Sequence, residues 1–96
     1  MNSDEAMAKY KQLGLKVKQI TDKPGEVYTP HRHGRVYLFT IRGSAKLKLD
    51  NDEWQLTHPG KEIHIRENQL HEAIVGSQGW EYLFAASLEK MKRQGL

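Results

Sequence analysis

Apolar residues recur along this chain at every second position, and that period constrains its fold more than any other feature. Successive side chains of a strand point to opposite faces, so strict alternation is the mark of a strand with one face covered and one in water. Residues 13–18 read Leu-Gly-Leu-Lys-Val-Lys and residues 45–49 read Ala-Lys-Leu-Lys-Leu. Trp54, Leu56 and His58 share one face of the next run, and Ile63 and Ile65 oppose Glu62, His64 and Arg66. His71, Ala73 and Val75 oppose Glu72 and Ile74. Two runs are different: residues 36–42 are β-branched and aromatic, as suits a strand covered on both faces, and residues 80–85 form a last strand-like stretch.

Turn chemistry punctuates these runs at Lys23-Pro24-Gly25, Gly43-Ser44, Asp50-Asn51-Asp52, His58-Pro59-Gly60 and Gly76-Ser77-Gln78-Gly79. The pattern predicts about eight short strands at intervals of roughly 8–12 residues, an all-β sandwich or barrel. Two short helices flank it. Residues 4–12 follow Asn2 or Ser3 as N-cap, with Ala6, Met7 and Tyr10 as the apolar face. Residues 88–94 follow Ser87.

A length of 96 residues gives one domain, residues 1–96, and a core modest enough that a homodimer is expected. The sequence has no cysteine, which excludes disulfides, thiolate metal sites and a cysteine nucleophile. No apolar run approaches the roughly 18 residues of a membrane span, and the polar start Met1-Asn2-Ser3-Asp4-Glu5 is unlike a signal peptide. A cytoplasmic location is the default expectation, with no membrane partner. The net charge is +3, from 15 Lys and Arg against 12 Asp and Glu. The lysines are spread along solvated strand faces; Lys90, Lys92 and Arg93 are the only cluster, so nucleic acid is not expected as a partner.

The sharpest local feature is His31-Arg32-His33. On a strand, residues two apart share a face about 6–7 Å apart. Two imidazoles so placed can converge on one ion at about 2.0–2.2 Å. His71 opens a later alternating run and could face the same interior. His64, opposite Ile63 and Ile65, reads as facing solvent or an interface, and His58 before a Pro-Gly turn reads as exposed. Glu72 points outward by parity. Trp54, Trp80, Tyr82 and Phe84 read as core or dimer surface. There is no Gly-rich phosphate loop and no Ser-His-Asp order.

From Gly25 to Val75 the chain resembles a single-domain cupin, an RmlC-like jelly-roll β-barrel. The first cupin motif is matched by Gly25, the five residues to Pro30, His31-Arg32-His33 and Gly43. The second is matched by Gly60 and by His71 at its required spacing. Arg66 stands for the motif proline, Val75 for its asparagine, and Asn68 for its second glycine; asparagine also adopts the left-handed backbone that glycine supplies. The first motif is about one residue short. Its glutamate falls at Val36 or Tyr37, and neither is a carboxylate.

The resemblance implies an all-β cupin barrel, with motifs at about 25–75, a short N-terminal helix or tail at about 1–12 and a short tail at about 87–96. It implies His31, His33 and His71 as metal ligands without the glutamate. Three neutral imidazoles suit Fe(II), Zn(II), Mn(II), Ni(II) or Cu(II). Relatives with three-histidine sites use iron to activate oxygen, so a small-molecule dioxygenase is the leading expectation. The other is a non-catalytic cupin that holds a small ligand or metal. The shortening leaves open whether Tyr37, Phe39 and Ile41 or Val36, Leu38 and Thr40 face inward. Tyr37, if inward, is the candidate catalytic phenol, although ordinary packing is its simpler role. Arg35 either lines the mouth, meeting an anionic ligand, or is a solvated loop residue.

Overall fold

The computed structural model describes residues 1–87, so the helix expected at 88–94 lies outside the described residues. Helix α1 (Ser3–Gln12) begins where its capping chemistry dictates. Asn2 Oδ1 accepts from the Glu5 amide at 2.9 Å, and the Glu5 carboxylate accepts from the Asn2 amide at 2.9 Å, which satisfies two otherwise orphaned donors. Asp4 and Glu5 lie in the first turn and Lys9 and Lys11 in the last, with the helix dipole. Ala6 and Tyr10, one turn apart, are the residues it buries.

Six strands follow: β1 (Lys16–Asp22), β2 (Val27–His31), β3 (Val36–Leu49), β4 (Gln55–Thr57), β5 (Glu62–Ile65) and β6 (His71–Ala86). They are fewer than expected because two pairs of runs are fused. Gly43-Ser44 and Gly76-Ser77-Gln78-Gly79 do not reverse the chain; they lie inside β3 and β6, which pair antiparallel from Val36↔Ala86 to Leu49↔His71. Register shifts at Thr40/Arg42 and Gly43/Ala45 bend this long ribbon instead. Gly43 has φ +77°, and a Cβ there would sit 2.0 Å from the Gly79 carbonyl oxygen, so only glycine allows the two backbones to approach at the bend.

The bend divides the pairing into two layers. The first half of β3 and the second half of β6 carry β5 and β1 at their flanks. The second half of β3 and the first half of β6 carry β4 and β2. The result is a jelly roll whose sheet does not close: β1 and β2 pair with β6 alone, and β4 and β5 with β3 alone.

Between the layers lies the main core. Val36, Leu38, Ile63, Ile65, Trp80, Tyr82, Phe84 and Ala86 from the first layer meet Ala45, Leu47, Ala73 and Val75 from the second. Each large side chain buried there contributes roughly 1.5–3 kcal/mol. The polar atoms inside are partnered: Trp80 Nε1 donates to Thr40 Oγ1 at 2.9 Å, and Thr40 and Thr57 hydroxyls pair at 2.7 Å. Asp22, nearly buried, accepts from the Tyr28 and Tyr82 hydroxyls at 2.8 and 2.9 Å. A second core covers the outer face of the first layer, where Ala6 and Tyr10 of α1 pack on Phe39, Leu83 and Ala85, with Tyr37 and Ile41 beside them. Among the described residues no helix is long and apolar enough to cross a membrane.

Candidate metal centre

The histidines converge because of a bulge and a latch. Tyr28 pairs with Ala73, but the next match is His31 with His71, so β2 carries one residue more than β6 over this stretch. That extra residue sets His31, rather than Pro30, directly opposite His71 on the same face. His33 lies just past the end of β2. Its carbonyl accepts from the Asn68 amide at 2.8 Å, and Arg32 donates to the Asn68 carbonyl at 2.9 Å. Asn68 takes φ +61°, the left-handed conformation in which it replaces glycine. This turn ties the His33 loop to the residues that lead into His71.

Each imidazole is oriented in the same way. The Nδ1 atoms of His31, His33 and His71 lie 2.6, 2.7 and 2.8 Å from the carbonyl oxygens of Thr29, Gly34 and Gln69. A carbonyl only accepts, so each Nδ1 carries the proton and each neutral ring keeps its lone pair on Nε2. The Nε2 atoms of His33 and His71 are 3.0 Å apart, and one nitrogen from each of the three rings lies within 4.8 Å of the others. At that distance the two nitrogens either share a proton in a hydrogen bond or flank a cation. Nitrogens about 2.1 Å from one ion, at right angles, stand about 3.0 Å apart, so the donor set fits a divalent transition metal. The carbonyl anchors are the outer partners that fix ring orientation at such sites. His71 and His33 are buried and His31 half-buried, so the cluster meets solvent on the His31 side.

Other expected residues fall elsewhere. The structure resolves the parity of β3: Val36, Leu38 and Thr40 face inward, whereas Tyr37, Phe39 and Ile41 belong to the outer face. Tyr37 therefore is not brought to the histidines. It is stacked on His64, centroids 4.4 Å apart, and against Tyr10 at 5.4 Å. Val36 is the inward residue of the two positions aligned with the motif glutamate, and it is fully buried. Arg35 lies against Tyr37, with its guanidinium carbon 5.6 Å from the ring centroid. His58 and His64 are exposed, Trp80, Tyr82 and Phe84 are core, and Trp54 is exposed beneath Lys46 and Lys48.

One neighbourhood was not legible in the sequence. The Tyr28 ring stands 6.4 Å from that of His31, and its hydroxyl is held by Asp22. Burial pushes the Asp22 carboxyl above the usual carboxylate range, partly offset by the two phenols donating to it. Burial likewise raises the Tyr28 phenol. Tyr28 shares a strand with His31, which is the one cue the sequence offered; nothing local marks Asp22.

No protein-family model matches this chain, and no curated protein does. Solved structures do match. An RmlC-like cupin with a double-stranded β-helix fold from Methanocaldococcus jannaschii aligns with TM-score 0.68 and 20% identity, over 81% of this chain and 73% of that one. KdgF from Halomonas sp. aligns with TM-score 0.67 and 19% identity, over 74% of this chain and 66% of that one. Oxalate decarboxylase from Bacillus subtilis, a protein with Mn(II) centres, aligns with TM-score 0.66 and 20% identity, over 74% of this chain and 20% of that one. The chain thus spans about two thirds of KdgF and a fifth of the decarboxylase. At these identities the likeness establishes the fold: this chain is a cupin-type jelly roll, with a three-histidine cluster that could hold a metal ion.

Proposed function

We propose that this chain binds one divalent transition metal through His31, His33 and His71 and acts with it as a small-molecule dioxygenase. The observation that carries the reading is the convergence of three imidazoles, each locked by its Nδ1 carbonyl contact with the lone pair on Nε2. A redox-active metal such as iron supplies the oxygen-activating chemistry when bound. The chain supplies three neutral donors and no carboxylate among them, so the ion keeps its full positive charge and favours an anionic small molecule. At this end of the sandwich the first layer turns Val36, Ile65 and Ala86 to the interior, an apolar wall that limits water. The test is oxygen consumption by the iron-loaded protein with candidate thiols, diketones and phenolics, against the His31→Ala variant. Turnover that needs His31 supports the reading.

A second reading is favoured by the packing between the layers. Trp80 and Tyr82 stack with centroids 3.8 Å apart and fill the middle with Phe84, Leu38 and Leu47, which confines a ligand to the mouth beside His31. Such a site suits a cupin that binds a small ligand or metal without turnover. Stoichiometric metal with no oxygen uptake on any of the three compound classes supports this second reading. A homodimer belongs to the same proposal: Val27, Trp54 and Leu56 are exposed on the second layer, whose outer face α1 does not cover. Sedimentation equilibrium measures it directly.

A further inference from the structure

A series of aromatic rings joined by one carboxylate runs through the interior from the histidines to the bend of the ribbon. It begins at Tyr28, whose ring centroid stands 6.4 Å from that of His31. The Tyr28 hydroxyl donates to Asp22 Oδ2 at 2.8 Å, and the Tyr82 hydroxyl donates to the same oxygen at 2.9 Å. The Tyr82 ring stacks on Trp80, with centroids 3.8 Å and planes 22° apart. Trp80 pairs in register with Gly43 at the bend, whereas His71 pairs with Leu49 at the far end of the ribbon. A cleft of about 450 Å³ lies at the bend, and Trp80 lines it with Lys23, Arg42, Gly79 and Glu81.

Packing alone does not call for this series. Asp22 is 6% exposed, and a carboxylate taken that far out of water carries a desolvation cost. Apolar groups of similar volume in place of a buried charged network are often neutral or stabilising. What the carboxylate adds is a base in direct contact with two phenols. A phenol gives up an electron far more readily when its proton has an acceptor within hydrogen-bond distance, because a strongly acidic cation radical forms otherwise. Electron exchange also falls steeply with separation, and stacked rings, or phenols meeting at one oxygen, are close. Trp80 is arranged differently. Its indole N–H is held by Thr40 Oγ1 at 2.9 Å, a neutral hydroxyl that takes no proton, so Trp80 exchanges an electron alone.

We propose that Tyr28, Tyr82 and Trp80, with Asp22 as the common proton acceptor of the two phenols, form a one-electron conduit between the histidine centre and the cleft at the bend. The proposal rests on the reading of that centre as an oxygen-activating metal site. An oxidising equivalent left there by peroxide takes one electron from Tyr28, whose proton passes to Asp22 Oδ2. Tyr82, and behind it Trp80, returns an electron to Tyr28, and Asp22 returns the proton. A reductant of the ascorbate or thiol class, meeting Trp80 at the cleft, supplies the electron that Trp80 lost and releases its own proton to water. The sum is one electron moved from reductant to oxidant, with the protein unchanged. The conduit protects the ligands: an oxidant that meets no substrate is drained before it attacks the His31 ring.

The experiment has a metal-free arm and a loaded arm. In the first, the metal-free protein is photo-oxidised with ruthenium tris(bipyridine) and persulfate, in a Trp54→Phe background that removes the exposed indole. Electron paramagnetic resonance after freeze-quenching reads the radical. The expected result is a tyrosyl component that is lost when Tyr28→Phe and Tyr82→Phe are combined, and lost in Asp22→Asn, which keeps an acceptor but not the base. Tyr10→Phe removes any signal from the phenol held by Glu62 on the outer face and leaves this component in place. In the second arm the Fe(II)-loaded protein receives hydrogen peroxide, and mass spectrometry measures oxidation of His31. Ascorbate is expected to suppress that oxidation in the parent protein and not in Tyr28→Phe. Circular dichroism checks that the variants stay folded. A tyrosyl signal unchanged in the combined variant or in Asp22→Asn overturns the proposal, as does equal protection by ascorbate in Tyr28→Phe. The photo-oxidation needs no metal, so its failure is distinct from a failure of the histidines to bind metal, which elemental analysis reads.

Discussion

The Nε2 atoms of His33 and His71 lie 3.0 Å apart across 38 residues of chain. With both rings holding a proton on Nδ1, the two Nε2 atoms meet favourably around a shared proton or a metal cation. Metal should therefore stabilise the fold by mass action. At a free concentration a hundredfold above Kd, the gain is about 2.7 kcal/mol, visible in denaturant unfolding with and without Zn(II) or Mn(II). His31→Ala, at the half-buried member, should abolish the gain while leaving the metal-free stability nearly intact. An equal metal-dependent gain in that variant would contradict the assignment.

Asp22 holds two phenols, buried Tyr82 and half-buried Tyr28, with a single oxygen, Oδ2. Its carboxyl is raised by burial, so the folded protein holds that proton at a pH where the unfolded chain has lost it. Stability through this group therefore falls as pH rises from the ordinary carboxylate range through the folded value. Asp22→Asn keeps an acceptor for the tyrosines and should remove that pH dependence at little cost near neutrality. Asp22→Ala removes the acceptor shared by the buried Tyr82 and the half-buried Tyr28 and should cost about 1–3 kcal/mol. Urea unfolding of both variants across pH 4–8 checks the pair.

Glu62 behaves in the opposite sense. Burial pushes its carboxyl up, but the Tyr10 hydroxyl and the Lys9 ammonium together outweigh that and hold it below its usual value. The folded protein thus favours the ionised form, and the contribution is present above the unfolded carboxylate value and lost as pH falls through the folded one. Glu62→Ala also leaves the buried Tyr10 hydroxyl without its acceptor, so it should cost about 1–3 kcal/mol at pH 7. The difference from the parent protein should shrink in acid, as urea unfolding at pH 7 and pH 3 would show.

Gly43 tests the bent ribbon. Its φ is +77°, and an added methyl group would run into the Gly79 carbonyl oxygen, so Gly43→Ala should destabilise by about 3 kcal/mol or more. Gly60→Ala meets nothing within 4 Å and should cost only the backbone strain of its own positive φ, about 1 kcal/mol. Urea unfolding of the two variants measures the difference. Similar losses at the two positions would argue against the close approach of β3 and β6.

Much of this was legible in the chain because strands with one solvated face alternate. The inward sets Ile63/Ile65 and His71/Ala73/Val75 follow from that alternation, and their burial agrees. His31, His33 and His71 were singled out because two histidines two apart share a strand face and the third falls at the spacing of the second cupin motif. Gly43 and Gly79 misled for a physical reason: a left-handed glycine makes a hairpin turn or a strand bend, and only the partner strand decides which. The parity of residues 36–42 was hidden because both faces are covered, one by the opposite layer and one by α1. Tyr37 consequently faces the helix rather than the histidines.

The central claim is that the three histidines hold one metal ion. The most direct measurement is elemental analysis after reconstitution of the chelator-stripped protein with Fe(II), Zn(II) or Mn(II), alongside His31→Ala, His33→Ala and His71→Ala. The account predicts one ion per chain in the parent protein and loss of stoichiometric metal in each variant. Sub-stoichiometric metal in the parent with all three ions would contradict it.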